Sequence, residues 1–100
     1  MPWRGRDLEG EGVGVPELCR FFGIVIRMFF NDHHPPHFHA LYDEHEALIA
    51  IESLEVVRGA LPRRALALVL EWAVQHRPEL RADWELAMLG KPIAPIAPLE

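Results

Sequence analysis

Four of the six histidines of this 100-residue chain fall in residues 33–39, on both sides of a Pro-Pro pair. Proline has no N–H, and the residue before a proline is pushed to extended geometry, so residues 31–36 predict a tight, stiff connection. The following segment, His37 to Tyr42, has the pattern of a β-strand. Side chains two apart on a strand share a face. We therefore expect His37 and His39 to point to the same side of a sheet.

Two imidazoles at this spacing are able to share one metal ion, with His33 or Asp32 as a third ligand. Three protein ligands and an open position are typical of catalytic zinc sites. Residues 31–57 contain six acidic residues and no Lys or Arg, which favours a cation. The sequence thus predicts a site for a divalent transition metal such as zinc, with the candidate ligands Asp32, His33, His37 and His39.

Two alternatives remain open for these histidines. They are structural if their ring N–H groups bond to backbone carbonyls, or if they are half-exposed strand residues. They are catalytic without a metal if His37 and His39 transfer protons, since histidine titrates near neutral pH. Arg27 on the preceding strand is a candidate to face the same side, and a His pair beside an arginine suits phosphodiester cleavage.

A second candidate site is formed by Arg58, Arg63 and Arg64. Cations in the first turn of a helix oppose its dipole, which prefers carboxylates at that end. Beside free helix N–H groups, these arginines predict an anion- or partner-binding site. The alternative is a solvated surface on which they pair with nearby glutamates.

The elements that must position these residues change period near Gly59. Before it, β-branched and aromatic residues predict strands at 20–30, 37–42 and 47–51, with a short fourth at 54–57. After it, Pro62 and Pro78 fit the first turns of two helices, and Gly90 is the expected stop of the second. The sequence predicts an α+β fold, an antiparallel three- to four-stranded meander followed by two helices packed on one face.

Residues 16–90 are predicted to form one domain, after a disordered N-terminal extension at 1–15 and before an extended, Pro-rich tail at 91–100. Trp72 and Trp84 are expected in the core. The sheet face with His37 and His39 mixes apolar and polar residues, which is typical of a surface that meets a partner or a second copy. The tail lies along that face or covers its own domain.

Composition limits the classes of function. A net charge of −5 and a pI near 5.6 argue against a general nucleic-acid coat, although not against one local basic patch. The lone Cys19 cannot form an internal disulfide and has no clear activating partner, so it reads as structural in a cytoplasmic, reduced protein. The longest apolar run, at 21–30, falls far short of the roughly 20 residues of a membrane helix.

Several motifs together resemble the domain-of-unknown-function family number 4160. They are the segment 20–30, the motif Pro35-Pro36-His37-Phe38-His39, the element Leu61-Pro62-Arg63-Arg64-Ala65, and the later Glu71-Trp72-Ala73 and Gly90-Lys91-Pro92. The resemblance spans about residues 15–99. It implies a small bacterial cytosolic protein of unassigned activity, often encoded beside a protein of family number 2442 in a toxin–antitoxin-like arrangement.

The first functional hypothesis is accordingly a partner-binding module of a toxin–antitoxin-like pair. Its partner is the family number 2442 type of protein or a second copy of the chain, with RNA as a further candidate. The alternative is a metal- or histidine-dependent nuclease centred on residues 33–39.

Overall fold

A computed structural model describes residues 16–100 of the chain. The predicted extension at 1–15 lies outside the described residues. Within these residues, five strands precede two helices in the order β1 (Glu17–Phe21), β2 (Ile24–Arg27), β3 (His37–Tyr42), β4 (His45–Ala50), β5 (Val56–Ala60), α1 (Arg63–Gln75) and α2 (Arg77–Met88). The strands pair as neighbours in sequence order, and every pairing is antiparallel. This confirms the predicted α+β meander with two following helices.

In the described part of the chain the sheet has five strands, so the predicted number of three to four was wrong. The predicted strand at 20–30 is in fact a hairpin. Phe22 and Gly23 both adopt left-handed backbone conformations, with φ of 49° and 81°, and reverse the chain between β1 and β2. Apolar residues on both sides of the turn hid it in the sequence.

The last strand also differs from the prediction at 54–57. Leu54 has a φ of 61° and belongs to the turn, so pairing with β4 begins at Val56 and continues through Gly59. Gly59 is no strand terminator here. Its φ of 79° is a conformation that glycine adopts with little conformational strain, and Gly59 lies within β5.

One face of the sheet packs on the helices and forms the core. Phe38 lies edge-on to Trp72 of α1, with ring centroids 5.8 Å apart. The fully buried residues beside it come from alternate strand positions and from the inner helix faces; they include Ile24, Ile26, Ala40, Ile49, Val69, Leu80 and Ala87. Trp72 and Trp84 are both buried in this cluster, as predicted.

The helix limits follow the local signals in the sequence. Pro62 is the N-cap of α1, and α2 carries a proline in its first turn. Gly90 follows α2 with a φ of 71°, the left-handed conformation common after a helix end. No helix within residues 16–100 combines the length and apolar character needed to cross a membrane.

The Pro-rich tail contains no helix or strand and lies against its own domain. The Trp72 indole N–H donates to the Ala97 carbonyl at 2.8 Å, and the Ile96 N–H donates to the Leu18 carbonyl at 3.1 Å. The Ala94 N–H donates to the buried Asp83 carboxylate at 2.8 Å. Because Ile96 is buried in the core cluster, the tail covers its own domain, the second of the two alternatives.

Candidate metal centre

The loop between β2 and β3 is fixed by backbone hydrogen bonds to other parts of the fold. The Asn31 N–H donates to the Ala87 carbonyl of α2 at 3.3 Å, and the Pro36 carbonyl accepts from the Ile51 N–H at 3.0 Å. Within the loop, Asp32 Oδ1 accepts the N–H of His33 at 2.9 Å. Oδ1 of Asp32 thus accepts a hydrogen bond within the loop, and Oδ2 is left to interact with side chains of β3.

Asp32 Oδ2 faces both strand histidines. It lies 3.1 Å from His37 Nε2 and 3.0 Å from His39 Nε2. The side chain of Asp32 is 5% exposed and those of the two histidines are each 4% exposed. Within residues 16–100, these three residues form a group whose potential ligand atoms all lie within 4.8 Å of one another.

The other nitrogen of each ring is held by an acceptor. His37 Nδ1 lies 2.8 Å from the Pro35 carbonyl, and His39 Nδ1 lies 2.9 Å from Glu46 Oε2. A carbonyl or ionised carboxylate only accepts, so each Nδ1 carries the proton. The neutral form of both rings therefore directs its lone pair from Nε2 toward Asp32. In that form, three acceptor atoms converge on one small volume.

Three converging acceptors require positive charge between them. Protons supply it if both rings become imidazolium ions, balanced by Asp32 and Glu46. A divalent cation supplies it while both rings stay neutral. Ligand atoms about 2.0–2.1 Å from an ion are roughly 3.0–3.4 Å apart, close to the two distances from Asp32 Oδ2. Rings whose Nδ1–H groups donate to a carbonyl and a carboxylate are oriented as metal-binding histidines usually are.

The pKa shifts show how strongly the centre favours positive charge. Burial alone would raise the pKa of the Asp32 carboxyl, but hydrogen bonds with His37, His39 and the His33 amide outweigh it and hold that pKa far below its usual range. Burial likewise opposes the cationic form of His39, yet its hydrogen bonds with Asp32 and Glu46 raise its pKa. Asp32 is therefore ionised at neutral pH, and a bound cation would compete with a proton for His39.

Aromatic rings surround the two histidines, and a cleft opens beside them. Phe29 lies edge-on to His39 with centroids 4.6 Å apart, and Trp84 lies 5.4 Å from the His37 ring. The cleft has a volume of about 660 Å³ and is lined by Asp32, His33, His34, Pro35, His37, His39, Glu46, Leu48, Val57, Arg58 and Gly59. Pockets of this volume hold small-molecule ligands. An ion at the centre would thus be accessible to a small substrate.

Two other residues that the sequence suggested for this site, His33 and Arg27, lie outside the group of three converging residues. His33 lines the cleft but is exposed and lies outside the group of three converging residues. Arg27 stands opposite His39 in the β2–β3 register, so both side chains occupy one face of the sheet. Its Nε is buried and has no hydrogen-bond partner within residues 16–100, and the residue does not line the cleft.

The three candidate arginines are divided between separate places. Arg58 lies on β5 and lines the cleft beside the histidines. Arg63 and Arg64 are exposed in the first turn of α1, and Arg64 lines a different cavity, together with Phe22. The structure therefore brings only Arg58 to the histidine centre.

Glu46 is the residue of the centre that the sequence predictions missed. The predicted third strand began at residue 47, whereas β4 begins at His45 and includes Glu46. Glu46 stands opposite Leu41 in the β3–β4 register, which places it on the same face as His39. A predicted strand that began two residues earlier would have included Glu46. Cys19 plays no comparable role, since burial raises the pKa of its thiol to about 12 and keeps it protonated.

A family model described as "Domain of unknown function (DUF4160)" matches residues 23–85 of the 100-residue chain. The chain belongs to this family. The DUF4160 match includes the whole centre, Asp32, His37, His39 and Glu46, together with Arg58, and ends before the Pro-rich tail. No curated protein and no solved structure matches the chain. Membership in the DUF4160 family carries no assigned activity.

Proposed function

We propose that the chain is a metal-dependent hydrolase in which Asp32, His37 and His39 bind one divalent transition metal ion such as zinc. The observation that carries this proposal is the convergence of both Nε2 atoms on Asp32 Oδ2 while both Nδ1 atoms are held by acceptors. Two imidazoles and a carboxylate are ligands that Zn²⁺ and its first-row neighbours accept. Glu46 and the Pro35 carbonyl act as the outer partners that orient the rings.

The hydrolytic assignment follows from the open side of the centre. Three protein ligands leave at least one coordination position, and the cleft leads to it. A divalent ion held by Asp32, His37 and His39 would supply Lewis-acid chemistry, activating a water and polarising a substrate oxygen. Phe29 and Trp84 pack against the rings of His39 and His37 beside that position. The metal-dependent nuclease predicted as the alternative function is a hydrolase of this kind.

Removal of one ligand is expected to weaken metal binding strongly. Titration of untagged protein with Zn²⁺ in a calorimeter should show one site per chain. His39→Ala should weaken the affinity by at least about 100-fold, at or beyond the upper end of the roughly 10- to 100-fold loss that follows removal of an outer partner. His39 supplies Nε2 to the centre, and its Nδ1 contacts Glu46. Its loss therefore removes a candidate metal ligand and also the contact with Glu46.

His45→Ala is the matched control, because His45 is an exposed histidine on β4 outside the centre. This variant should bind Zn²⁺ as the unaltered chain does. Undiminished affinity in His39→Ala, with a fold intact by circular dichroism, would reject the proposed centre. Equal losses in both variants would show that binding is unspecific.

A second function, a partner-binding module of a toxin–antitoxin-like pair, is favoured by the open edge of the sheet. All five residues of β5 are exposed, including Val56 at 38% and Val57 at 47%. An edge strand offers unpaired N–H and C=O groups to a further strand, and apolar side chains strengthen such pairing. The proposed partner is the neighbouring protein of family number 2442 that the family resemblance implies.

A charge on this edge is expected to prevent the complex. Light scattering of the chain mixed with that neighbouring protein should show a 1:1 complex, and Val56→Lys should weaken it by at least about 10-fold, because lysine on an edge opposes strand addition. Val74→Lys is the control, since Val74 is exposed on α1. A complex that survives Val56→Lys, or a dimer of the chain alone that this change dissociates, would contradict the heteromeric proposal.

A further inference from the structure

Arg58 is placed to complete a ligand site beside the candidate metal centre. Among the described residues that line the cleft, Arg58 is the only Lys or Arg. Within residues 16–100 its side chain takes part in no hydrogen bond or ion pair, unlike those of Arg20, Arg77 and Arg81. An unpaired guanidinium on a cleft wall is available to a ligand.

The register of the sheet fixes where Arg58 stands relative to the histidines. His39 pairs with Leu48 of β4, and Leu48 pairs with Arg58 of β5. All three therefore lie in one row on the same face. Neighbouring strands are about 4.8 Å apart, so the backbones of His39 and Arg58 are separated by roughly 10 Å. A flexible arginine side chain on one side and an ion on the other leave room for one small group between them.

The charges around that space select the ligand. A divalent ion and Arg58 contribute positive charge, while Asp32 and Glu46 contribute two negative charges. One net positive charge remains, which a monoanion neutralises. A phosphodiester carries one negative charge on two non-bridging oxygens, and a guanidinium matches such oxygens geometrically.

From this arrangement we infer that the cleft binds a phosphodiester, with one non-bridging oxygen at the ion and the other at the Arg58 guanidinium. The inference rests on the proposed metal centre and names its substrate class. Hydrolysis of such a substrate takes its oxygen from water, breaks one P–O ester bond, and transfers the proton of the water to the leaving alcohol. Arg58 is the specificity-determining residue in this scheme and supplies no metal ligand.

The test separates anion binding from metal binding. Zn²⁺ titrations on the unaltered chain, Arg58→Ala and Arg63→Ala should give equal metal affinities. Diphenyl phosphate is then titrated into each zinc-loaded protein, and we expect Arg58→Ala to weaken its binding by at least about 10-fold, the loss typical of one charged hydrogen bond. Arg63→Ala removes an equal charge from the exposed start of α1 and should change the affinity less than about 2-fold.

The outcomes distinguish the two levels of the proposal. If none of the proteins binds Zn²⁺, the metal centre and the phosphodiester site both fail. If Zn²⁺ binds but Arg58→Ala retains its affinity for diphenyl phosphate, only the phosphodiester site fails. Equal losses in Arg58→Ala and Arg63→Ala would indicate general charge attraction and also overturn it. Benzoate serves as a second monoanion, and binding as tight as that of diphenyl phosphate would assign the cleft to carboxylates instead.

Discussion

Replacement of Gly59 by alanine is expected to lower the free energy of unfolding by about 3 kcal/mol, a large share of the stability of a small domain. Two effects add at this position. Its φ of 79° is a conformation that side chains with a Cβ rarely adopt. A Cβ added there would also collide with the backbone carbonyl oxygen of Glu46, which cannot rotate away as a side chain would. Urea unfolding followed by circular dichroism measures the change.

Gly90→Ala is the matched control for this experiment. Gly90 has a similar φ of 71°, but a Cβ there meets no atom within 4 Å. Gly90→Ala should lower the free energy of unfolding by only about 1 kcal/mol, the part of the penalty that comes from the backbone conformation. If Gly59→Ala and Gly90→Ala lose equal stability, the close approach of β5 to Glu46 is not a constraint on the fold.

Gly59 connects the stability of the sheet to the geometry of the cleft. It pairs with Ala47 and follows Arg58 directly, so the close contact between β4 and β5 sets the position of both Glu46 and Arg58. A change that pushes β5 outward should therefore move an outer partner of His39 and the proposed anion-binding residue together. Gly59, where the sequence pattern changes from strand to helix, therefore also helps to position Glu46 and Arg58 at the site.

Local patterns predicted the elements of the fold that carry strong periodicity. The bounds of β3 follow from strand alternation after two prolines, and the helix starts follow from Pro62 and Pro78. The hairpin of β1 and β2 escaped prediction because Phe22, a bulky residue, occupies a left-handed position that sequence preferences assign to glycine or asparagine. Tertiary packing overrides the local preference there.

The candidate centre shows a similar division between local and non-local information. The shared face of His37 and His39 is a property of a single strand and was predictable from spacing. That Asp32, and not His33, contacts both histidines depends on how the loop is held. Its backbone bonds to Ala87 and Ile51, which are far away in sequence. Likewise, Arg58 joins the centre only because two strand pairings place it in the row of His39. Such contacts are set by the assembled sheet.

The second large effect concerns the linkage between metal binding and folding. An ion that binds the folded chain at 100 times its dissociation constant adds about 2.7 kcal/mol to the free energy of unfolding. For a domain of this size, that corresponds to a rise of roughly 10–20 °C in Tm. Differential scanning calorimetry with and without Zn²⁺ should show this rise for the unaltered chain.

Asp32→Asn is expected to eliminate the zinc-dependent rise while preserving the shape of the side chain. The amide keeps an oxygen for the His33 N–H, and its NH₂ group donates to a neutral histidine Nε2, so the metal-free fold retains hydrogen bonds at both ends. It offers no anionic ligand, and Zn²⁺ loses one of three protein contacts. We expect a zinc-dependent change in Tm of less than about 2 °C for this variant.

Asp43→Asn makes the same chemical change in the exposed turn between β3 and β4 and should keep the full response to zinc. A rise of equal size in Asp32→Asn would mean that Zn²⁺ stabilises the chain elsewhere. The absence of any rise in the unaltered chain would leave Asp32, His37 and His39 as a hydrogen-bonded group without a metal ion. In that case the convergence on Asp32 Oδ2 stabilises the loop through hydrogen bonds, and the cleft holds no metal-dependent chemistry.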